Sequence, residues 1–217
     1  MIKDNHIQTY RTARYYTSGE LSDKTKSIWF VIHGYGQLAR DFIKEFEELV
    51  NDETFIVAPE ALSRFYLDSG TGSTGASWMT KEDRENEIND YVNYLDELYL
   101  KIVSEIKVVS GVPLLTLNAL GFSQGVSTLS RWAAMGKSKF EKLIFWAGDI
   151  AKDIDTSKFI NTEIHLVIGN KDRYFPGVIN NIHDKMLDDN GIKYETTIFD
   201  GGHEIKMDVL KKILNRI

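Results

Sequence analysis

The segment Gly121–Gly125 reads GFSQG and has the G-x-S-x-G pattern of a turn that presents a nucleophilic serine. The strand-forming run Leu114–Leu120 precedes it, and the helix-forming run Gln124–Met135 follows it. In that context the serine hydroxyl is exposed at a sharp turn, and small residues two positions before and after the serine allow the helix and the strand to approach each other. The N-terminus of the helix favours the negative charge that develops during the reaction. The pattern predicts that Ser123 is a nucleophile. A glycine-rich turn with an incidental serine is the alternative.

An acid and a base follow at the ends of two later strand-forming runs. Asp172 comes after Glu163–Gly169, and His203 lies in a glycine-rich segment after Tyr194–Phe199. A carboxylate in such a position can orient a histidine and stabilise its charged form. The chain order serine, acid, histidine matches the order found in α/β-hydrolases. The alternatives are that Asp172 only forms a turn and that His203 only begins a helix.

Other acids and histidines fit the pattern less well. Asp149 follows the run Lys142–Ala147 and is a rival orienting acid, but it lies one strand earlier than Asp172. We interpret Asp200 as a turn residue. No spacing of His, Asp or Glu suggests a metal site.

The segment His33–Gln37 (HGYGQ) ends the strand-forming run Ser27–His33 and is the candidate oxyanion loop. Acyl transfer needs two fixed N–H donors for the developing oxyanion. We expect these to be the backbone N–H groups of Gln124, directly after the serine, and of Tyr35, whose flanking glycines allow close approach. His33 is better interpreted as a hydrogen-bonding anchor of the loop than as a base.

Short β-rich runs alternate with helical stretches along the chain. The predicted strands are an edge strand at Arg11–Thr17, then Ser27–His33, Thr54–Pro59, Leu114–Leu120, Lys142–Ala147, Glu163–Gly169 and Tyr194–Phe199. The predicted helices are Leu38–Val50, Lys81–Val109, Gln124–Met135, Phe175–Asn190 and Glu204–Ile217. This alternation predicts an α/β fold with a mostly parallel sheet of about seven strands and helices on both faces. The length of the chain predicts that residues 1–217 form a single domain.

Composition excludes several classes of protein. The chain has 217 residues, no cysteine and a net charge of −6. It therefore has no disulfide, thiolate metal site or cysteine nucleophile, and it lacks the basic stripe that nucleic acid requires. No apolar run reaches the roughly 18 residues of a membrane helix, so we expect no stable membrane insertion. We expect a cytoplasmic protein, a monomer or homodimer, whose partner is a small-molecule ester substrate.

Together these segments resemble the phospholipase/carboxylesterase family of α/β-hydrolases, which includes acyl-protein thioesterases and lysophospholipases. The matching segments are HGYGQ (33–37), GFSQG (121–125), GNKDRYFP (169–176), GGHE (201–204) and the stretch from Arg64 to Trp78. The likeness runs from about residue 28 to 217 and implies a single, minimal α/β-hydrolase domain without a separate lid domain and without a cofactor. The chain departs from the family at Val126, where a second glycine is usual, and at Trp146–Asp149, where a short small-residue segment is usual.

The stretch Leu62–Met79 is expected to be a long glycine-rich loop that carries aromatic residues. Long loops in compact domains are usually functional, so we expect Trp78 and Tyr66, together with Trp146, to wall a substrate pocket. The alternative is that these aromatic rings only pack the loop onto the domain.

The sequence thus predicts a serine hydrolase that cleaves carboxylic esters of small or medium acyl chains through an acyl-enzyme. A thioesterase or lysophospholipase with the same triad is the alternative within the same chemistry. A non-catalytic binding protein that retains the fold is the alternative from another class.

Overall fold

The computed structural model describes residues 1–110, 115–174 and 186–215. The strands are β1 (Tyr15–Ser18), β2 (Ser27–Ile32), β3 (Thr54–Pro59), β4 (Ser63–Asp68), β5 (Ser73–Ser77), β6 (Thr116–Phe122), β7 (Lys142–Trp146), β8 (Glu163–Gly169) and β9 (Tyr194–Phe199). The helices are α1 (Ala39–Phe42), α2 (Arg84–Ser110), α3 (Gln124–Met135) and α4 (Met207–Leu214). Two 3₁₀ helices span Ile43–Leu49 and Thr156–Phe159.

Seven strands form the central sheet in the order β1-β3-β2-β6-β7-β8-β9. Only the edge strand β1 is antiparallel to its neighbour, and every other pairing within this sheet is parallel. The expected mostly parallel sheet of about seven strands is therefore confirmed. Because the parallel strands end at one edge, the segments that follow β2, β3, β6, β7, β8 and β9 meet there.

Successive residues of β2 are buried in different cores, which shows that both faces of the sheet are covered. Phe30 belongs to the core formed with α2 and α3, where Leu95 and Trp132 are fully buried. Val31 belongs to the core formed with α1, the first 3₁₀ helix and α4. This double burial explains why the central strands are nearly continuous apolar runs without a polar face.

The expectation of an irregular loop at Leu62–Met79 is wrong. Strands β4 and β5 pair there as an antiparallel two-stranded sheet, with a register shift between Tyr66 and Asp68. Two of the glycines that suggested a loop are required by the local backbone. Gly72 lies between the two strands with φ of +71°, and a Cβ at Gly75 would lie 2.3 Å from the carbonyl oxygen of Gly36.

Other boundaries differ by a few residues. The predicted helix Leu38–Val50 is α only to Phe42 and continues as a 3₁₀ helix to Leu49, in which Ile43 and Phe46 are buried. The predicted helix Phe175–Asn190 falls mostly outside the described residues. No helix among residues 1–110, 115–174 and 186–215 combines the length and the apolar character needed to cross a bilayer.

Candidate active site

Ser123 lies at a strained turn between β6 and α3. Its backbone has φ of 54° and ψ of −119°, a conformation that is uncommon for a residue with a side chain. The N–H of Ser123 donates to the carbonyl oxygen of Trp146 at 2.9 Å, which ties the turn to the end of β7. The turn places the half-buried serine at the carboxyl edge of the sheet and at the N-terminus of α3.

Three glycines make room for this turn. A Cβ at Gly121 would lie 2.4 Å from the carbonyl oxygen of Gly125, and a Cβ at Gly125 would lie 2.2 Å from that of Ile32. A Cβ at Gly148 would lie 2.2 Å from the carbonyl oxygen of Ser123. All three distances are too short for any side chain, so the small residues of GFSQG are required by backbone contacts. The sequence pattern did not identify the third glycine.

Asp172 and His203 form a hydrogen-bonded pair. Nδ1 of His203 lies 2.6 Å from Oδ2 of Asp172, whose side chain is fully buried. The other oxygen, Oδ1, accepts the backbone N–H of Tyr174 at 2.9 Å. Because an ionised carboxylate only accepts hydrogen bonds, Nδ1 carries the proton, and Nε2 is the nitrogen that can accept one.

The imidazole of His203 lies beside the serine turn. Its centroid is 4.8 Å from the ring of Phe122, the residue before Ser123, and 4.8 Å from the ring of Tyr174 on the opposite loop. The topology therefore brings Ser123, Asp172 and His203 to one edge of the sheet.

Both rival acids are exposed. Asp149 is exposed after β7, and the carboxylate bonded to His203 Nδ1 is that of Asp172. Asp200 forms an exposed ion pair with Lys171, at 2.7 Å. Among the described residues, no group of three or more His, Asp or Glu side chains is arranged to hold a metal ion.

The loop after β2 lies directly against the serine. A Cβ at Gly34 would be 3.1 Å from Cβ of Ser123. Within the part of the chain that the structure describes, the backbone N–H groups of Tyr35 and Gln124 have no acceptor on the protein. The fold therefore does not use, in this part of the chain, the two N–H groups that were expected to bind the oxyanion.

Hydrogen bonds to β5 fix this loop. The N–H of Gly36 donates to the carbonyl oxygen of Ala76 at 2.9 Å, and the N–H of Ala76 donates to that of Gln37 at 3.2 Å. The side-chain oxygen of Gln37 accepts the N–H of Gly34 at 2.7 Å.

His33 is a buried anchor of the same loop, as the sequence suggested. Its Nδ1 donates to the carbonyl oxygen of Gly34 at 2.7 Å, and its Nε2 accepts the N–H of Ala61 at 3.1 Å. Burial of the ring disfavours the charged imidazolium and lowers the pKa of His33 from 6.5 to about 4. His33 is therefore neutral at neutral pH.

The side chain of Gln124 makes contacts that the sequence did not reveal. Its Oε1 accepts the N–H of Trp78 at 3.1 Å, and its Nε2 donates to the carbonyl oxygen of Met79 at 2.9 Å. These bonds hold the start of α3 against the segment that follows β5. The position of a polar residue directly after the serine suggests a role for this side chain. The sequence could not show its partners, because Trp78 and Met79 are distant in the chain.

Two of the three residues expected to wall a substrate pocket are buried. Trp78 is 2% exposed; it packs against the ring of His33, and its Nε1 donates to the carbonyl oxygen of His33 at 2.9 Å. Trp146 has no exposed surface, and its Nε1 donates to the carbonyl oxygen of Glu204, next to His203, at 2.8 Å. Both indoles support loops of the site. Trp146 has no accessible surface with which to wall a pocket, whereas Trp78 lines a cavity beside Tyr15, Leu62 and Tyr94. Tyr66, on β4, is 69% exposed.

Comparison with solved structures identifies the fold. Esterase PE8 superimposes with a TM-score of 0.67 at 22% identity, covering 94% of this chain and 96% of the other. A carboxylesterase from Bacillus cereus gives 0.69 at 13% identity, with 93% and 91% covered. Acyl-protein thioesterase 2 from Zea mays gives 0.66 at 15% identity, with 93% and 96% covered. The chain has the α/β-hydrolase fold. No family model and no curated protein matches the sequence.

Proposed function

We propose that this α/β-hydrolase-fold protein is a serine esterase of the phospholipase/carboxylesterase type that cleaves carboxylic esters of small or medium acyl chains. The observation that carries the proposal is the position of Ser123 at a strained strand–helix turn beside the Asp172–His203 pair. The solved esterases and thioesterases of the same fold support it.

In the proposed reaction the Oγ of Ser123 attacks the ester carbonyl carbon while Nε2 of His203 takes the hydroxyl proton. Asp172 holds Nδ1–H and stabilises the imidazolium. The backbone N–H groups of Tyr35 and Gln124 bind the oxyanion. The tetrahedral intermediate collapses to an acyl-enzyme, and the alcohol leaves with the proton from His203. Water then attacks the acyl-enzyme, with His203 acting again as base and then as acid.

A thioesterase activity is the second candidate, since one solved protein of this fold is an acyl-protein thioesterase. The same steps apply, with a thiol in place of the alcohol as the leaving group. Tyr66 and Tyr35, which are 69% and 59% exposed, are the aromatic rings proposed to contact the acyl or leaving group.

The test combines a covalent probe with a substrate panel. A fluorophosphonate should label Ser123, and Ser123→Ala should lose both labelling and about 10⁴- to 10⁶-fold of turnover without a change in melting temperature. p-Nitrophenyl esters, acyl thioesters and lysophospholipids then distinguish the leaving groups. More than a tenth of wild-type activity in Ser123→Ala would refute the assignment, and absence of labelling would favour a binding protein.

A further inference from the structure

Glu60 is a fully buried carboxylate at the same edge of the sheet, one residue after β3. Its Oε1 accepts Arg64 Nε at 2.6 Å and Arg14 Nη2 at 2.6 Å, and its Oε2 accepts the N–H of Ala39 at 3.3 Å. Burial opposes ionisation of this group, but the hydrogen bonds from Arg64 and Arg14 outweigh burial and lower the pKa of Glu60. The side chain is therefore a carboxylate anion at neutral pH.

Stability alone is a weak reason for such a group. Removing a carboxylate from water is costly, and well-packed apolar residues often replace a buried ion pair without loss of stability. What distinguishes Glu60 is the identity of the segments that it joins. Arg64 lies in β4, Ala39 begins α1, and Arg14 lies just before β1.

These contacts hold the oxyanion loop at both ends. At its start, the N–H of Ala61, next to Glu60, donates to Nε2 of His33 at 3.1 Å. At its end, Glu60 itself accepts the N–H of Ala39. Glu60 and Ala61 therefore fix His33 and Ala39, the residues on either side of the loop 34–38.

The contact with Arg64 connects Glu60, through β4 and β5, to the middle of the loop. Arg64 stands directly opposite Ala76 in the β4–β5 pairing. Ala76 is the residue whose backbone bonds to both Gly36 and Gln37. The ion pair between Glu60 and Arg64 thus holds the strand pair that fixes the loop around Tyr35.

We propose that Glu60 is a positioning residue for the oxyanion hole: it fixes the N–H of Tyr35 before substrate binds. The inference rests on the proposed function, because it assigns that N–H to the oxyanion. Preorganised donors act on the transition state and have little effect on the ground state. Misplacing one of them should therefore lower kcat and leave KM nearly unchanged.

The central experiment measures Glu60→Gln against a p-nitrophenyl ester, with rates expressed per site titrated by a fluorophosphonate. Glutamine keeps the size of the side chain but turns one NH₂ towards the donors of Arg64, Arg14 or Ala39. We expect kcat to fall about 10- to 100-fold with KM within about twofold, because small misplacements far from the chemistry have effects of this size. Binding of a trifluoromethyl ketone, which forms an oxyanion on Ser123, should weaken in parallel with kcat/KM.

A matched pair of arginine variants separates positioning from charge. Arg64→Met should reproduce the loss of kcat, since it releases β4. Arg14→Met removes the same charge from Glu60 but not the contact with β4, and its kcat should stay within about threefold of wild type. Both arginines are partly exposed, so these variants remain informative even if Glu60→Gln folds poorly.

The outcomes are distinct. An unchanged kcat per titrated site in Glu60→Gln or Arg64→Met would show that Glu60 serves only stability and would overturn the inference. Equal losses of kcat in Arg14→Met and Arg64→Met would overturn the inference that Glu60 acts on the loop through Arg64 and β4. If the fluorophosphonate fails to label wild-type Ser123, the proposed function itself is wrong and the inference falls with it.

Discussion

His33 should make the stability of the protein depend on pH in the mildly acidic range. Burial lowers the pKa of this imidazole from 6.5 to about 4. Below pH 6.5 the unfolded chain binds a proton at His33 that the native state does not bind. Stability is therefore fully present above pH 6.5 and decreases as the pH falls towards 4.

The magnitude follows from the two pKa values. Each pH unit between them contributes about 1.4 kcal/mol, so the full effect is about 3 kcal/mol. About 2 kcal/mol of the loss falls between pH 7 and pH 5, before most carboxylates begin to protonate. A loss of this size is a substantial part of the 5–15 kcal/mol that is typical of native proteins.

The assay is urea unfolding of wild type and His33→Asn at pH 7 and pH 5. The asparagine amide can still donate to the carbonyl oxygen of Gly34 but does not titrate. Wild type should lose about 2 kcal/mol more than His33→Asn over this range, because every other titrating group is common to both proteins.

Gln37→Ala is the matched control, because it removes another contact of the same loop, the hydrogen bond to the N–H of Gly34, without removing a titrating group. Its stability should depend on pH as that of wild type does. If wild type and His33→Asn lose the same free energy of unfolding between pH 7 and pH 5, the assignment of a neutral buried imidazole is refuted.

Two further predictions concern the site and its support. Asp172→Asn should lower turnover about 10⁴-fold by favouring the wrong tautomer of His203, whereas Asp149→Asn should have little effect; steady-state kinetics of both variants checks this, and similar losses would contradict it. Trp78→Ala should reduce the free energy of unfolding by about 3–5 kcal/mol without changing the preferred acyl length, whereas Tyr66→Ala should leave the melting temperature unchanged. If Trp78→Ala instead shifts the acyl preference and keeps a normal melting temperature, Trp78 forms a wall of the substrate pocket.

The sequence by itself predicted the fold because most of its elements have local signatures. The nearly continuous apolar runs identify central strands, and two of them, Thr54–Pro59 and Glu163–Gly169, have the predicted boundaries. The edge strand Tyr194–Phe199 has them as well. The alternation of strands with helices limits the topology to a parallel sheet, whose carboxyl edge collects the residues that follow each strand. For this reason the positions of Ser123, Asp172 and His203 after their strands are enough to predict that the three side chains lie at one edge.

Only the tertiary structure decided which side chains support the site and which are exposed to solvent. Trp78 and Tyr66 belong to the same glycine-rich stretch, yet one is 2% exposed and the other 69%. The difference arises because β4 and β5 pair with each other and β5 bonds to the loop after β2, which no local pattern encodes. The role inferred for Glu60 has the same origin, since its partners Arg14 and Ala39 lie 46 and 21 residues away in the chain. A charged residue in isolation indicates an exposed position, and it becomes a buried anchor only where the fold brings donors to both of its oxygens.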